Sequence, residues 1–183
     1  VELAAKAGFK LKGVFQMDAG KRSKHSNAYF TGLGKSKRIV LFDTLIASHS
    51  RDEILGVLAH EIGHWRKGHI RKQLIAMEVL SLAFFYAAYL LLDWMPLYTA
   101  FGFEKITFYV GIFLLGVVVQ TTFFFFTPIG SAISRRFERE ADDYALHLIG
   151  TALPLANALK RLAKDNLANL FPHPLYAWFY YSH

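Results

Sequence analysis

The sequence predicts an α+β fold, predominantly α. A small antiparallel β-meander leads into a metal-binding helix, and a two-helix transmembrane hairpin follows it. Three observations carry that prediction. The motif His60-Glu61-Ile62-Gly63-His64 lies in a stretch patterned as a helix over residues 51 to about 69. Short β-rich runs come immediately before it. Two long apolar runs, 74–92 and 106–127, come after it, and a polar helical stretch follows them. A chain of 183 residues holds one domain with a sizeable core. It reads as a single unit over 1–183: an N-terminal helix and meander (1–49), the motif helix (50–73), the hairpin (74–127), and a closing helix with a C-terminal segment (128–183).

At the start, residues 1–7 read as a short helix that Gly8 ends as a C′ glycine. Residues 12–17 have β character, and the polar, Gly- and Lys-rich stretch 18–27 reads as a loop. Residues 28–31 and 38–42 are two further strands, joined across Gly32-Leu33-Gly34-Lys35-Ser36-Lys37, a hairpin signal. The edge of such a sheet suits an extended peptide, which would add to it as a strand. A purely structural hairpin fits the residues equally well.

The motif helix opens with Ser50-Arg51-Asp52-Glu53, the pattern of a capping box. Side chains four apart on a helix share a face, so His60 and His64 can offer their imidazoles to one metal ion. Glu61 lies about 100° round the helix from His60, within reach of a metal-bound water without displacing a ligand. Zinc lowers the pKa of such a water to about 7, and a carboxylate can take its proton as it attacks a peptide carbonyl. Ile54, Leu55, Val57, Leu58, Ala59, Ile62 and Trp65 make the helix largely apolar and therefore buried. Gly56 and Gly63 lie near one another on its surface, where another backbone can approach.

Cysteine is absent, which excludes disulfides and thiolate metal sites and leaves His and carboxylate as the metal donors. The net charge of +7 would suit nucleic acid. Its basic residues, however, gather at 66–72 and 135–139, beside the apolar runs, which favours a membrane surface and argues against a nucleic-acid partner. Of those runs, 74–92 has Glu78 as its only charge and 106–127 has none. Each is long enough to cross a hydrocarbon core of about 30 Å. The basic residues at the outer ends of both runs put those ends, and the motif helix, on the cytoplasmic side. The polar stretch 134–145 and an amphipathic segment to about 170 come next, and residues 171–183 look irregular. A catalytic zinc takes three protein ligands, so a carboxylate from this returning helix completes the set.

As an ordered set, Ser26-Asn27-Ala28-Tyr29-Phe30, Arg38-Ile39-Val40-Leu41-Phe42-Asp43-Thr44-Leu45, His60-Glu61-x-x-His64-Trp65, Glu138-x-x-Ala141-Asp142 and Tyr181-Ser182-His183 resemble the type I CAAX prenyl protease family. These are integral-membrane zinc endopeptidases related to the HtpX-type quality-control proteases. The resemblance implies a zincin-like helix and one zinc ion held by His60, His64 and Glu138. It implies Glu61 as the base, Asp142 as a partner that orients a ligating imidazole, and Asn27 and His183 as residues that hold substrate or stabilise the oxyanion. It further implies membrane helices preceding Val1, so the chain reads as a fragment of a longer protein. The substrate is then a peptide or protein, cut after a lipidated C-terminal cysteine. An HtpX-like protease without a prenyl requirement, or a non-catalytic membrane scaffold, are the alternatives. An intact Glu61 speaks against the scaffold.

Glu138 and Glu140 lie about 200° apart on a helix and cannot both face one metal. Ala141 and Ala145 flank Glu138 and let its helix come close, whereas Phe137 and Tyr144 flank Glu140 and hold neighbours off. Asp142 follows Glu138 by one turn. Glu138 is therefore the expected ligand. His25, His49, His147 and His173 read as structural or solvated. His69, about 180° from His60 on the wheel, stays outside the site unless the helix ends first.

Overall fold

The computed structural model describes residues 2–8, 10–18, 28–31, 36–165, 169 and 171–181. Helix α1 (Glu2–Lys6) leads into strand β1 (Lys10–Met17), and β2 (Ala28–Thr31) and β3 (Ser36–Phe42) complete one sheet. The strand order is β1-β3-β2. The hairpin of β2 and β3 is antiparallel as expected, with Tyr29 opposite Val40. The meander is not what forms: β1 pairs parallel to β3, with Val14 opposite Ile39. Two physical facts explain the mixed sheet. Ile39 and Leu41 of β3 are buried core residues, whereas Val14, Phe15 and Met17 of β1 are exposed, so β3 takes the centre and β1 an edge. A meander also needs a tight turn after β1. Residues 18–27 provide far more chain than the two strand spacings, about 9.6 Å, that separate β1 from β2.

After the sheet come α2 (Asp43–Ser48) and α3 (Arg51–Lys67), the helix about which the core is built. Its capping box forms: Ser50 Oγ accepts from the Glu53 N–H at 3.3 Å, and Glu53 Oε2 accepts from the Ser50 N–H at 2.7 Å. Val57 and Leu58 pack with Ile39 and Leu41 of β3, Leu45 of α2 and Ala158 of α7 (Leu153–Asp165). Ala59 packs with Ala145 and Leu155, and Ile62 with Ala7 of the N-terminal segment. The two glycines are where backbone meets backbone. A Cβ on Gly56 would lie 2.8 Å from the Leu155 nitrogen, and one on Gly63 2.8 Å from the Ala141 carbonyl oxygen. No side chain fits either gap.

Helix α3 stops at Gly68, whose φ of +67° is left-handed backbone, and α4 (His69–Leu92) starts at once in a new direction. The hairpin tip holds α5 (Met95–Thr99), whose fully buried Tyr98 donates to the Leu92 carbonyl at 2.8 Å. Helix α6 (Phe108–Ile149) then runs for 42 residues, about 63 Å, twice the depth of a hydrocarbon core. The second apolar run and the Glu138 segment are thus one continuous helix. Pro128, inside it, withholds the donor that the Phe124 carbonyl would take in a regular helix.

Helices α4 and α6 are each long and apolar enough to cross a membrane, and only 6% and 17% of their apolar windows are buried inside the protein. A core helix of a water-soluble fold would be mostly buried. Past α7, the segment expected to be irregular forms α8 (Pro174–Tyr180), with Pro174 at its first position and the His173 ring accepting from the Leu175 N–H.

Candidate metal centre

One turn of α3 separates His60 from His64, and their Nε2 atoms lie 3.0 Å apart. The close contact at Gly63 brings α6 against this turn of α3, and α6 delivers Glu138. Glu138 Oε2 is 3.4 Å from His60 Nε2 and 3.6 Å from His64 Nε2. Nitrogen and oxygen ligands about 2.0–2.2 Å from a tetrahedral zinc lie about 3.3–3.6 Å from one another. The two Glu138 distances match that spacing, and the His60 and His64 nitrogens, 3.0 Å apart, are slightly closer than it, so a small opening of the pair lets the three donors take one zinc ion. With no thiolate in the chain, the two-imidazole, one-carboxylate set suits zinc and leaves a fourth position open. The side chains are 13%, 22% and 19% exposed, so the donors are shielded while the cavity beside them stays accessible.

Asp142 is one turn beyond Glu138 on α6, and its Oδ1 is 2.8 Å from His60 Nδ1. A carboxylate only accepts, so the neutral His60 ring carries its proton on Nδ1 and turns a bare Nε2 toward the other donors, while the protonated ring also donates from Nε2 to Glu138. Burial works against a charge on His60, but the hydrogen bonds to Asp142 and Glu138 outweigh it and raise its pKa from 6.5 to about 9. The histidine next to a metal site is thus also where a proton competes with the metal.

Glu140 takes no part in the triad. It faces the other way, toward His69 Nε2 at 3.1 Å, Arg136 Nε at 2.9 Å and Lys72 Nζ at 3.8 Å. The small-residue edge of α6, with Ala141 and Ala145 both buried, is the one that meets α3, as its composition suggests.

A cavity of about 500 Å³ opens on the triad. His60, Glu61, His64, Glu138 and Asp142 form its polar wall, and Leu45, Val57, Leu155, Leu159 and Leu162 line the apolar side. Glu61 thus shares one cavity with all three donors. An apolar wall of this kind accepts a peptide side chain or a hydrocarbon chain.

His69, expected to stay outside the site, lies buried beside His64. Because α3 ends at Gly68, His69 escapes the helical wheel that placed it opposite His60, and its Nδ1 lies 3.0 Å from His64 Nδ1. The signal was Gly68 itself, a C′ glycine immediately before the histidine. Asn27, His183 and His25 lie outside the described residues. The chain just before His183 is tied to α6: Arg135 Nη1 donates to the carbonyls of Tyr181 at 2.5 Å and Ala177 at 3.3 Å, and Ser131 Oγ donates to that of Phe179 at 2.9 Å. Of the remaining histidines, His49 Nδ1 meets Ser48 Oγ at 2.8 Å, His173 caps α8 and His147 is exposed.

Residues 1–183 match the family profile described as Peptidase family M48. The chain is 42% identical over 200 residues to CAAX prenyl protease 1 of Saccharomyces cerevisiae, covering 99% of this chain and 43% of that protein. It is 38% identical over 183 residues to CAAX prenyl protease 1 homolog of Arabidopsis thaliana, covering 100% and 43%. The crystal structure of S. mikatae Ste24p superposes with a TM-score of 0.84 at 39% identity, covering 99% of this chain and 46% of that one. The chain therefore spans less than half the length of these relatives.

Proposed function

Because the chain belongs to peptidase family M48, we propose that it carries the catalytic centre of a membrane-embedded zinc endopeptidase of the CAAX prenyl protease kind. The observation that carries this reading is the convergence of His60, His64 and Glu138 on one point, with Glu61 in the same cavity.

A zinc ion held by those three residues supplies Lewis acidity to a water and to the substrate carbonyl. Glu61 takes the proton from the attacking water and returns it to the leaving amine. Asp142 keeps the His60 proton on Nδ1. Asn27 and His183 hold the substrate and stabilise the developing oxyanion, a role that rests on the family resemblance. Strand β2, at the edge of the sheet, offers its open side to an extended substrate, which would pair with it as a further strand.

The apolar wall of Leu45, Val57, Leu155, Leu159 and Leu162 suits a substrate bearing a lipid, and cleavage falls after a lipidated C-terminal cysteine. Helices α4 and α6 cross the bilayer. Arg66, Lys67, Arg71 and Lys72 at one end of the hairpin, with Arg135, Arg136 and Arg139 on α6, keep the zinc site on the cytoplasmic side. The test is peptide cleavage by the purified full-length protein with and without a prenyl group on the cysteine. Zinc-dependent cleavage of the prenylated peptide is expected. Equal cleavage of both peptides would favour a quality-control protease, and no cleavage of either would favour a scaffold.

A further inference from the structure

His60 and His64 are oriented by different means, and the difference assigns a role to His69. His60 Nδ1 meets a carboxylate directly. His64 Nδ1 meets another imidazole, the Nδ1 of His69 at 3.0 Å, and His69 Nε2 in turn meets Glu140 Oε2 at 3.1 Å. The proton positions along this chain follow from its far end. The Glu140 carboxylate only accepts, so His69 Nε2 carries the hydrogen. In a neutral ring that leaves His69 Nδ1 as an acceptor, so His64 Nδ1–H must donate. His64 Nε2 is then bare, and it is the atom that faces Glu138 and His60 Nε2.

We infer that His69 is a positioning residue for the metal centre: it accepts from His64 Nδ1–H and donates to Glu140, and so fixes the tautomer and ring direction that present His64 Nε2 to the metal. This rests on the zinc-peptidase reading and deepens it. His69 is itself held firmly. It is 1% exposed, and its ring stacks on Phe137 with centroids 4.3 Å apart and planes 10° from parallel. The bend at Gly68 allows the approach, because an uninterrupted helix would carry His69 to the opposite face. Glu140 is fixed in turn by Arg136 Nε at 2.9 Å. Both ligating imidazoles thus end on a carboxylate of α6, His60 directly and His64 through one intervening ring.

The test measures Zn²⁺ affinity by chelator competition in the full chain, together with the visible absorption of its Co²⁺ form. Two substitutions separate positioning from packing. His69→Phe keeps the ring and its stacking on Phe137 but removes the acceptor. His69→Asn loses the stacking but keeps an oxygen near the place of Nδ1. If His69 positions His64, His69→Phe weakens Zn²⁺ binding about 10–100-fold and shifts the Co²⁺ bands, while His69→Asn stays several-fold closer to the parent. If His69 only fills space, the order reverses, and that result overturns the inference.

Glu140→Ala probes the same chain from its exposed end without opening the core. It should retain zinc with a modest loss of affinity and a Co²⁺ shift in the same direction, and a parental affinity and spectrum in that variant count against the inference. A parent that binds Zn²⁺ yet cleaves no peptide would sink the peptidase reading and leave this one standing. Parental affinity in His69→Phe would do the opposite.

Discussion

Where α3 meets α6 and α7 the closest approaches are made at Gly56, Ala59, Gly63, Ala141 and Ala145, whereas the outer faces of α4 and the first half of α6 carry Leu80, Tyr89, Phe113 and Phe125. Both regions are apolar, but the first is small-residued and closed and the second large-residued and exposed. The difference teaches that apolar content does two jobs here. In the first region it removes side-chain volume so that two helices approach to backbone distance, and that distance sets where Glu138 falls relative to His60 and His64. In the second it provides bulk that faces outward, as the proposed membrane-crossing helices need. Substitutions in the first region should therefore be read out in the metal, and similar substitutions in the second should not.

The largest effect belongs to the donors. Glu138→Ala should strip zinc or leave it too weakly held to survive dialysis, and Glu140→Ala should retain it. Asp142→Ala falls between, about 10–100-fold weaker. Metal analysis of the three variants checks this, and zinc kept in Glu138→Ala but lost in Glu140→Ala would reverse the assignment of the third donor.

Next in size is the helix contact itself. Gly63→Ala adds a Cβ 2.8 Å from the Ala141 oxygen, so α6 must move and Glu138 with it. About 1–3 kcal/mol of stability should go, and zinc affinity should fall. Gly116→Ala, in the apolar part of α6 with nothing within 4 Å of its new Cβ, should raise stability by up to about 1 kcal/mol, because alanine is the better helix former, and leave zinc unchanged. Thermal unfolding with metal titration of this pair sharpens the comparison most directly, because the chemistry of the two substitutions is identical.

A third effect is a pH dependence confined to the metal region. His60 in the metal-free chain has its pKa raised to about 9, and zinc binding must displace that proton. Zinc affinity should therefore rise about tenfold per pH unit from pH 7 and level off near 9. In the metal-free chain the sign for stability is opposite. A pKa raised in the folded state stabilises fully below the unfolded value of 6.5, and that stabilisation fades as pH rises through 9. Metal titrations at several pH values check the first, and metal-free unfolding the second.

The comparison also explains what the sequence made legible. The motif helix, its capping box and its two glycines are local patterns, and local geometry alone puts His60 and His64 on one face and leaves room at Gly56 and Gly63. The choice of Glu138 over Glu140 was readable because Ala141 and Ala145 mark which edge of a helix can approach another. The strand order was not, since pairing β1 beside β3 depends on contacts remote in sequence. His69 was missed because a helical wheel assumes an uninterrupted helix, and the wheel stops applying at Gly68. The continuity of α6 was not foreseen: the chain was divided between 127 and 128, at a proline that lies inside a helix continuing through it.

If Glu61 is the base that activates water for peptide hydrolysis in this cavity, Glu61→Gln separates its chemistry from metal binding. Zinc content and peptide turnover should be measured on the same preparation of the full-length protein. His60, His64 and Glu138 are untouched, so zinc should remain at the parental level while turnover falls by about 10²–10⁴. Near-parental turnover with zinc in place would rule out Glu61 as the base.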